Sequence, residues 1–217
     1  MIKLCVFDLD GTLLDTITTI TYYVNNALQN HAIDAITTDE AKKFVGDGAR
    51  ELIMRSLKAK APDKLHLLDE ILNEYKSAYD DEPLYLTEAY DGILDMVGAL
   101  RARGVTLAVL SNKPNGALGS VVNHYFKNSF AVALGAREGV ALKPDPTSLL
   151  TLIDELGVKP GEVMYIGDTN VDMLTGKSAG VGLTVGVSWG FRDREELLIN
   201  GADKIVAHPR EITELIL

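Results

Sequence analysis

The sequence predicts an α/β fold in which a parallel sheet carries helices on both faces and an all-helical segment follows the first strand. Short apolar runs that suit buried strands alternate with segments whose apolar residues recur at helical spacing. Residues 15–83 interrupt this alternation and contain no convincing strand. We therefore expect residues 1–14 and 84–217 to form the α/β core and residues 15–83 to form a helical cap domain.

The strands are predicted from five apolar runs and one weaker run near the end of the chain, at residues 2–9, 106–110, 131–134, 163–166, 182–187 and 204–206. Helices are expected between them, at residues 92–103, 117–125, 146–156, 170–179 and 209–216. Gly104, Gly157 and Gly180 directly follow helical segments and suit helix C-termini. Regular alternation of strands and helices is typical of a Rossmann-like sheet.

Residues 15–83 are predicted to form four helices, at residues 18–31, 38–44, 49–57 and 64–79. Thr38 and the two acidic residues after it suit the start of the second of these helices. An insert placed directly after the first strand suits a lid that closes over a ligand.

Composition narrows the class of protein. The chain has 217 residues, 47% of them apolar, and a formal net charge of −10. This charge repels nucleic acids and anionic membranes, so neither is an expected partner. The single cysteine, Cys5, cannot form an internal disulfide, which suits a reducing compartment. Because no signal peptide and no membrane-spanning run is apparent, we expect a cytoplasmic protein, either a monomer or a homodimer.

Polar side chains follow four of the predicted strands. They are Asp8 and Asp10 after the first strand, Ser111 and Asn112 after the second, Lys143 on the loop after the third, and Asp168 and Asp172 after the fourth. Because the carboxyl ends of parallel strands meet at one edge of a sheet, these groups should lie close together.

The expected cluster suits phosphoryl transfer. One carboxylate can attack phosphorus, and a neighbouring carboxylic acid can protonate the leaving oxygen. Carboxylate oxygens are the ligands that Mg²⁺ prefers, and the ion offsets charge on a phosphoryl group. Ser111 can donate a hydrogen bond to a phosphoryl oxygen, and Lys143 supplies a positive charge.

Four sequence motifs in order carry a family resemblance that covers nearly the whole chain: Asp8-Leu9-Asp10-Gly11-Thr12, Ser111-Asn112, Lys143-Pro144, and Gly167-Asp168 followed by Asp172. Together they resemble the phosphatase branch of the haloacid dehalogenase superfamily. The dehalogenases themselves lack the second aspartate of the first motif, so Asp10 indicates phosphate chemistry.

The resemblance implies a role for each matching residue. Asp8 would be the nucleophile and Asp10 the general acid and base. Ser111 and Lys143 would bind the transferring phosphoryl group, with Asn112 beside them. Asp8, the backbone carbonyl of Asp10 and Asp168 would hold Mg²⁺, and Asp172 would support that metal site. The helical insert would be the cap of this branch.

The cap contains Gly46-Asp47-Gly48 ahead of a helix whose first turn carries Arg50. Two glycines let a backbone loop approach a ligand closely. The pattern resembles phosphoglycolate phosphatases and their near relatives, whose loop contacts the leaving group. Arg50 suits bidentate recognition of a carboxylate. Beyond the fifth strand, Trp189-Gly190-Phe191 is expected to pack rather than to bind.

The leading interpretation is a Mg²⁺-dependent phosphatase of a small phosphorylated metabolite, with 2-phosphoglycolate as the preferred candidate. A sugar-phosphate mutase resembling β-phosphoglucomutase, a pyrophosphatase and a nucleotidase of the same superfamily remain alternatives. Thr12 and Ile20 stand where such mutases typically have valine and histidine. A non-enzymatic phospho-receiver-like domain is disfavoured by Asp10 and by the large insert, and no G-x-G-x-x-G motif supports a dinucleotide binder.

Overall fold

The computed structural model describes residues 1–216. Its strands, in chain order, are β1 (Leu4–Phe7), β2 (Leu14–Asp15), β3 (Glu88–Ala89), β4 (Thr106–Pro114), β5 (Val132–Ala136), β6 (Val163–Gly167), β7 (Leu183–Val187) and β8 (Lys204–Val206). Six of them form a parallel sheet in the order β5-β4-β1-β6-β7-β8. This is the order of the doubly wound Rossmann sheet, so the predicted fold class is confirmed.

The helices of the core are α5 (Ile93–Ala102), α6 (Asn115–Phe126), α7 (Thr147–Glu155), α8 (Asn170–Ala179), α9 (Arg194–Ile199) and α10 (Pro209–Glu214). They cover both faces of the sheet. Alternate residues of β1 show this directly, because Cys5 and Phe7 pack with residues of α5, α6 and α10, whereas Leu4 and Val6 pack with residues of α7 and α8. The short helix α9 is not among the helices predicted from the sequence.

The helical insert, residues 17–81, consists of α1 (Ile17–Asn30), α2 (Thr38–Phe44), α3 (Ala49–Lys60), a 3₁₀ segment (Pro62–Leu67) and α4 (Leu68–Asp81). Its apolar residues form a cluster separate from the two that flank the sheet, and Ala117 of α6 is the buried core residue that joins it. The expected helix at 64–79 is divided, since Lys64 has non-helical dihedral angles and α4 begins at Leu68. Thr37, one residue ahead of the expected start, caps α2 in a reciprocal arrangement with Glu40.

Two short strands that the sequence analysis missed join the core to the insert. Leu14 pairs with Ala89 and Asp15 with Glu88 in an antiparallel ribbon formed by β2 and β3. Strands of two residues are too short to show alternating hydrophobicity, which explains why no pattern marks them. The ribbon brings the two crossings between core and insert side by side.

The sheet topology determines where a ligand can bind. From β1 the chain builds outward through β4 and β5, and then crosses back to start β6 on the other side of β1. The carboxyl ends of β4, β1 and β6 therefore meet at the switch point of the sheet, where doubly wound folds bind ligands. Within residues 1–216, none of the helices has the length and apolar character needed to cross a membrane.

The packing of α5 allows a matched test of the fold. Leu100 is fully buried in the cluster beneath the sheet, whereas Leu94 of the same helix is 55% exposed. We expect Leu100→Ala to lower the free energy of unfolding by about 2–5 kcal/mol, because it leaves a cavity. Leu94→Ala should change it by less than about 0.5 kcal/mol in the same urea titration. Equal losses would contradict the orientation of this helix.

Candidate active site

Asp8 lies at the carboxyl end of β1 and is 8% exposed. Its Oδ1 accepts a hydrogen bond of 2.7 Å from the backbone N–H of Leu9, and its Oδ2 lies 3.1 Å from Nζ of Lys143. Burial raises the pKa of Asp8 to about 7, with the charges of Asp172 and Asp10 adding to the rise and Lys143 opposing it. The first predicted carboxylate is therefore a buried group beside a single cation.

Lys143 is 4% exposed and lies between two carboxylates, 3.1 Å from Asp8 and 2.7 Å from Oδ1 of Asp172. Burial alone lowers the pKa of an ammonium, but Asp172 and Asp8 together hold the pKa of Lys143 well above its usual range. Asn112 fixes the backbone of this lysine, accepting from its N–H at 2.9 Å and donating to its carbonyl at 3.0 Å. The expected positive charge is thus present and firmly placed.

Asp172 anchors this lysine. Its Oδ1 accepts hydrogen bonds from Nζ of Lys143 and from the hydroxyl of Tyr165, at 2.7 and 3.3 Å. Its Oδ2 accepts from the backbone N–H and the hydroxyl of Thr169, at 3.0 and 2.7 Å, which also caps α8. These four bonds occupy the accepting capacity of a carboxylate. Asp172 therefore supports the site by holding Lys143 in place.

Asp168 follows β6 and is fully buried. Its Oδ1 accepts from the hydroxyl of Thr12 at 2.8 Å, and its Oδ2 accepts from the backbone N–H of Phe191 at 2.9 Å. Burial raises its pKa well above the ordinary value, and the charges of Asp172 and Asp8 raise it further. Each oxygen retains a lone pair, so Asp168 can still bind a cation.

The segment Trp189-Gly190-Phe191 contributes to the site more than the sequence analysis predicted. A Cβ atom on Gly190 would lie 2.3 Å from Cβ of Asp168, so only glycine allows this loop to pass so close. The indole N–H of Trp189 donates to the carbonyl of Thr12 at 3.0 Å. The segment therefore positions Asp168. Its location at the end of β7 is the signal that could have revealed it.

Asp8, Asp168 and Asp172 each offer a carboxylate oxygen, and these oxygens lie within 4.8 Å of one another. All three residues are buried, and Lys143 alone does not balance their charges. An oxygen-only donor set with excess negative charge fits Mg²⁺. Because Asp172 is committed to Lys143 and Thr169, the residues best placed to hold the ion are Asp8 and Asp168.

Asp10 and Lys113 form a second ion pair beside the first. Nζ of Lys113 lies 3.0 Å from Oδ1 of Asp10 and donates to the hydroxyl of Tyr79, on α4, at 2.6 Å. The lysine is 6% exposed. Ser111 is also buried, and its hydroxyl accepts from the N–H of Lys113 at 3.3 Å. Lys113 is not among the site residues predicted from the sequence, although it follows Ser111 by two residues at the same strand end.

A cavity lies between the sheet edge and the helical insert, with Asp8 and Asp10 in its wall. Its core side includes Ser111, Asn112 and Lys113, and its insert side includes Gly46, Gly48, Tyr75 and Tyr79. Nδ2 of Asn112 donates to the carbonyl of Gly46 at 2.9 Å, which ties the insert loop to the core. The structure therefore brings the expected glycine loop to the same cavity as the predicted carboxylates.

The family model described as "Haloacid dehalogenase-like hydrolase" matches residues 5–185 of this chain. The chain belongs to the haloacid dehalogenase-like hydrolases. It is 32% identical over 208 residues to the phosphoglycolate phosphatase of Rhodospirillum rubrum, covering 93% of this chain and 86% of that protein. It is 28% identical to the N-acetylmuramic acid 6-phosphate phosphatase of Pseudomonas aeruginosa, covering 99% of this chain and 95% of that protein.

Among solved structures, this haloacid dehalogenase-like hydrolase resembles a protein from Lactobacillus delbrueckii subsp. bulgaricus that is provisionally named a phosphoglycolate phosphatase. The two are 32% identical, with a TM-score of 0.90 and coverage of 99% of this chain and 98% of that chain. The family and its relatives confirm the expected class of enzyme, a phosphoric monoester hydrolase.

One expected substrate contact of the hydrolase is not supported by the structure. The guanidinium of Arg50 pairs with Asp69 at the surface, and the arginine side chain is 56% exposed. The cavity is lined instead by Ala49 and Leu52 of the same helix, α3. Leu52 follows Arg50 by two residues, which places the two side chains on nearly opposite faces of the helix. The arginine therefore faces α4 rather than the cavity.

The raised pKa of Asp8 has a consequence for the stability of the hydrolase in the absence of metal. The folded protein holds this proton up to a pH of about 7, whereas the ordinary value is 3.8. Asp8 therefore contributes stability at low pH that is lost as the pH rises from about 4 to about 7. Since asparagine does not ionise, Asp8→Asn should become more stable relative to wild type over that range.

Urea unfolding in a chelating buffer at several pH values measures this difference. Asp145→Asn is a matched control, because hydrogen bonds from Thr147 lower the pKa of Asp145, and this variant should not gain stability as the pH rises. If the difference in the free energy of unfolding between Asp8→Asn and wild type does not depend on pH, burial does not destabilise the ionised form of Asp8.

Proposed function

We propose that this hydrolase is a Mg²⁺-dependent phosphatase that acts through a phospho-aspartate on Asp8. The observation that carries the proposal is the pairing of a buried Asp8 with Lys143, 3.1 Å apart, where Asp8 lies in the wall of a cavity between the sheet edge and the helical insert. Phosphoryl transfer depends mainly on positioning and on offsetting charge, and this arrangement serves both needs.

The environment of Asp8 suits a nucleophile. The N–H of Leu9 holds one oxygen of the carboxylate in a fixed orientation, and the other oxygen faces the ammonium of Lys143. That charge would draw the phosphoryl oxygens of a substrate toward the attacking carboxylate. Mg²⁺ held by Asp8 and Asp168 would add positive charge that offsets the charge of the phosphoryl group. Attack would form the bond from Asp8 to phosphorus and break the P–O ester bond, and the leaving oxygen would depart as the alcohol with a proton from Asp10.

Asp10 suits the role of general acid and base. It lines the cavity two residues beyond Asp8, and its side chain is 17% exposed, so a water molecule can reach it. The proposed acid would protonate the leaving oxygen and then take a proton from the water that hydrolyses the acyl phosphate. Ser111 would donate a hydrogen bond to the phosphoryl group from the end of β4.

The proposed substrate is a small phosphate monoester, with 2-phosphoglycolate as the first candidate. The relative from R. rubrum is named for that compound, and the relative from P. aeruginosa is named for N-acetylmuramic acid 6-phosphate. Both compounds carry a carboxylate in the part of the molecule that leaves. The glycine loop and the enclosed cavity support a compact leaving group rather than a polymer.

The nucleophile can be tested with an aryl phosphate. We expect Asp8→Asn to lower turnover by more than about 10³-fold, because an amide cannot form the covalent intermediate. Asp145→Asn is a matched control, since Asp145 accepts a hydrogen bond from the N–H of Thr147 at the start of α7 and lies outside the cavity lining. Circular dichroism would verify folding. Normal turnover by a folded Asp8→Asn protein would refute the assignment.

The substrate and the metal can be tested together. We expect the highest kcat/KM for 2-phosphoglycolate in a panel that also contains sugar phosphates, nucleoside monophosphates and pyrophosphate. A chelator should abolish turnover and Mg²⁺ should restore it, because the buried carboxylates need a cation to offset their charge. Isomerisation of a sugar phosphate without release of phosphate would instead identify a mutase.

A further inference from the structure

We propose that Lys113, Tyr75 and Tyr79 form a binding site for a carboxylate on the leaving group of the substrate. The proposal rests on the proposed phosphatase function and assigns substrate selection to these three residues. Lys113 comes from the end of β4, and both tyrosines come from α4 of the insert. All three line the cavity beside Asp10.

Lys113 is a buried cation beside Asp10, the proposed general acid. Its Nζ lies 3.0 and 3.3 Å from the two oxygens of Asp10 and 2.6 Å from the hydroxyl of Tyr79. An ammonium has three N–H donors. One of them can be shared between the two oxygens of Asp10 and a second points to Tyr79, so the third is available to a ligand. Binding of the transferring phosphoryl group does not explain why Lys113 is placed here, because the lysine that pairs with Asp8 is Lys143, whereas Lys113 pairs with Asp10.

The two tyrosines add donors on the insert side. Tyr75 and Tyr79 occupy successive turns of α4 and are 5% and 3% exposed. The oxygen of Tyr79 accepts from Lys113, which leaves its own hydrogen to donate. Tyr75 also lines the cavity, and within residues 1–216 its hydroxyl makes no hydrogen bond. Burial raises the pKa of both groups, so both remain protonated donors.

The position of this donor group matches the chemistry of a 2-phosphooxy acid. In such a substrate only two carbon atoms separate the carboxylate oxygens from the ester oxygen that leaves. Asp10 would protonate that ester oxygen, and Lys113 lies 3.0 Å from Asp10. A carboxylate next to the leaving oxygen would therefore meet Lys113 and the tyrosine hydroxyls. A neutral substrate leaves buried donors unpaired, which makes discrimination strong.

The neighbouring charges are compatible with this site. Asp80 also lines the cavity, but its carboxylate lies over the first turn of α6, 3.5 Å from where a Cβ on Gly116 would be. The amino end of a helix favours a carboxylate there. Lys76, one residue after Tyr75, adds a second positive charge to the same wall. Arg50, which pairs with Asp69, takes no part.

The test compares two esters that differ only at the recognised group: 2-phosphoglycolate and carbamoylmethyl phosphate, in which a neutral amide replaces the carboxylate. We expect Lys113→Met to lower kcat/KM for 2-phosphoglycolate at least about 10-fold more than for the amide, mainly through KM. Tyr75→Phe should lower it selectively by about 3–10-fold, because it removes one hydrogen bond to a charged group. Arg50→Ala is the matched cationic control and should not change the ratio.

Equal losses on both esters would overturn the proposal, since they would mean that Lys113 acts only by holding Asp10. The Tyr75→Phe variant keeps the contact between Lys113 and Asp10, so it decides the matter if Lys113→Met does not fold. A wild-type enzyme that hydrolyses both esters equally well would also exclude a carboxylate site. If wild type with Mg²⁺ hydrolyses neither ester nor an aryl phosphate, the proposed phosphatase function itself fails.

Discussion

The arrangement of the site depends on one buried ammonium. Lys143 lies between Asp8 and Asp172, and it is the group that makes their burial tolerable. Two unpaired carboxylates in such an environment would be strongly destabilising. Asp172 in turn is fixed by Thr169 at the start of α8, so the charge balance ties the end of β1 to the end of β6.

The backbone around this ammonium serves the same purpose. Asn112 holds the main chain of Lys143 on one side, while the glycine at 190 lets a loop close around Asp168 on the other. Neither contact contributes a reacting group. Both fix the directions of the charged groups. Charges held in fixed directions stabilise a developing charge more strongly than mobile ones do, so no additional charges are needed.

The helical insert is joined to the core by polar contacts at the edge of the cavity. Asn112 donates to the carbonyl of Gly46, and Lys113 donates to the hydroxyl of Tyr79. Arg192 donates to the carbonyls of Lys42 and Val45 from the loop that also carries the N–H bound to Asp168. The residues that order the carboxyl end of the sheet thus also hold the insert beside the cavity, so the enclosure of the cavity and the geometry of the carboxylates are linked.

The sequence by itself determined the class of fold and the main carboxylates. Apolar runs ending in Asp8 and Asp168 predict both the strands and their common edge, because strand periodicity and sheet topology are properties of local sequence. It did not determine that Lys143 also pairs with Asp172, or that Lys113 pairs with Asp10. From the sequence, Arg50 is expected to bind the carboxylate of the substrate. The packing of α3 directs Arg50 toward Asp69 instead, and Lys113 of β4 is the cation that lines the cavity. Side-chain direction depends on how helices pack against one another, and residues distant in the chain decide it.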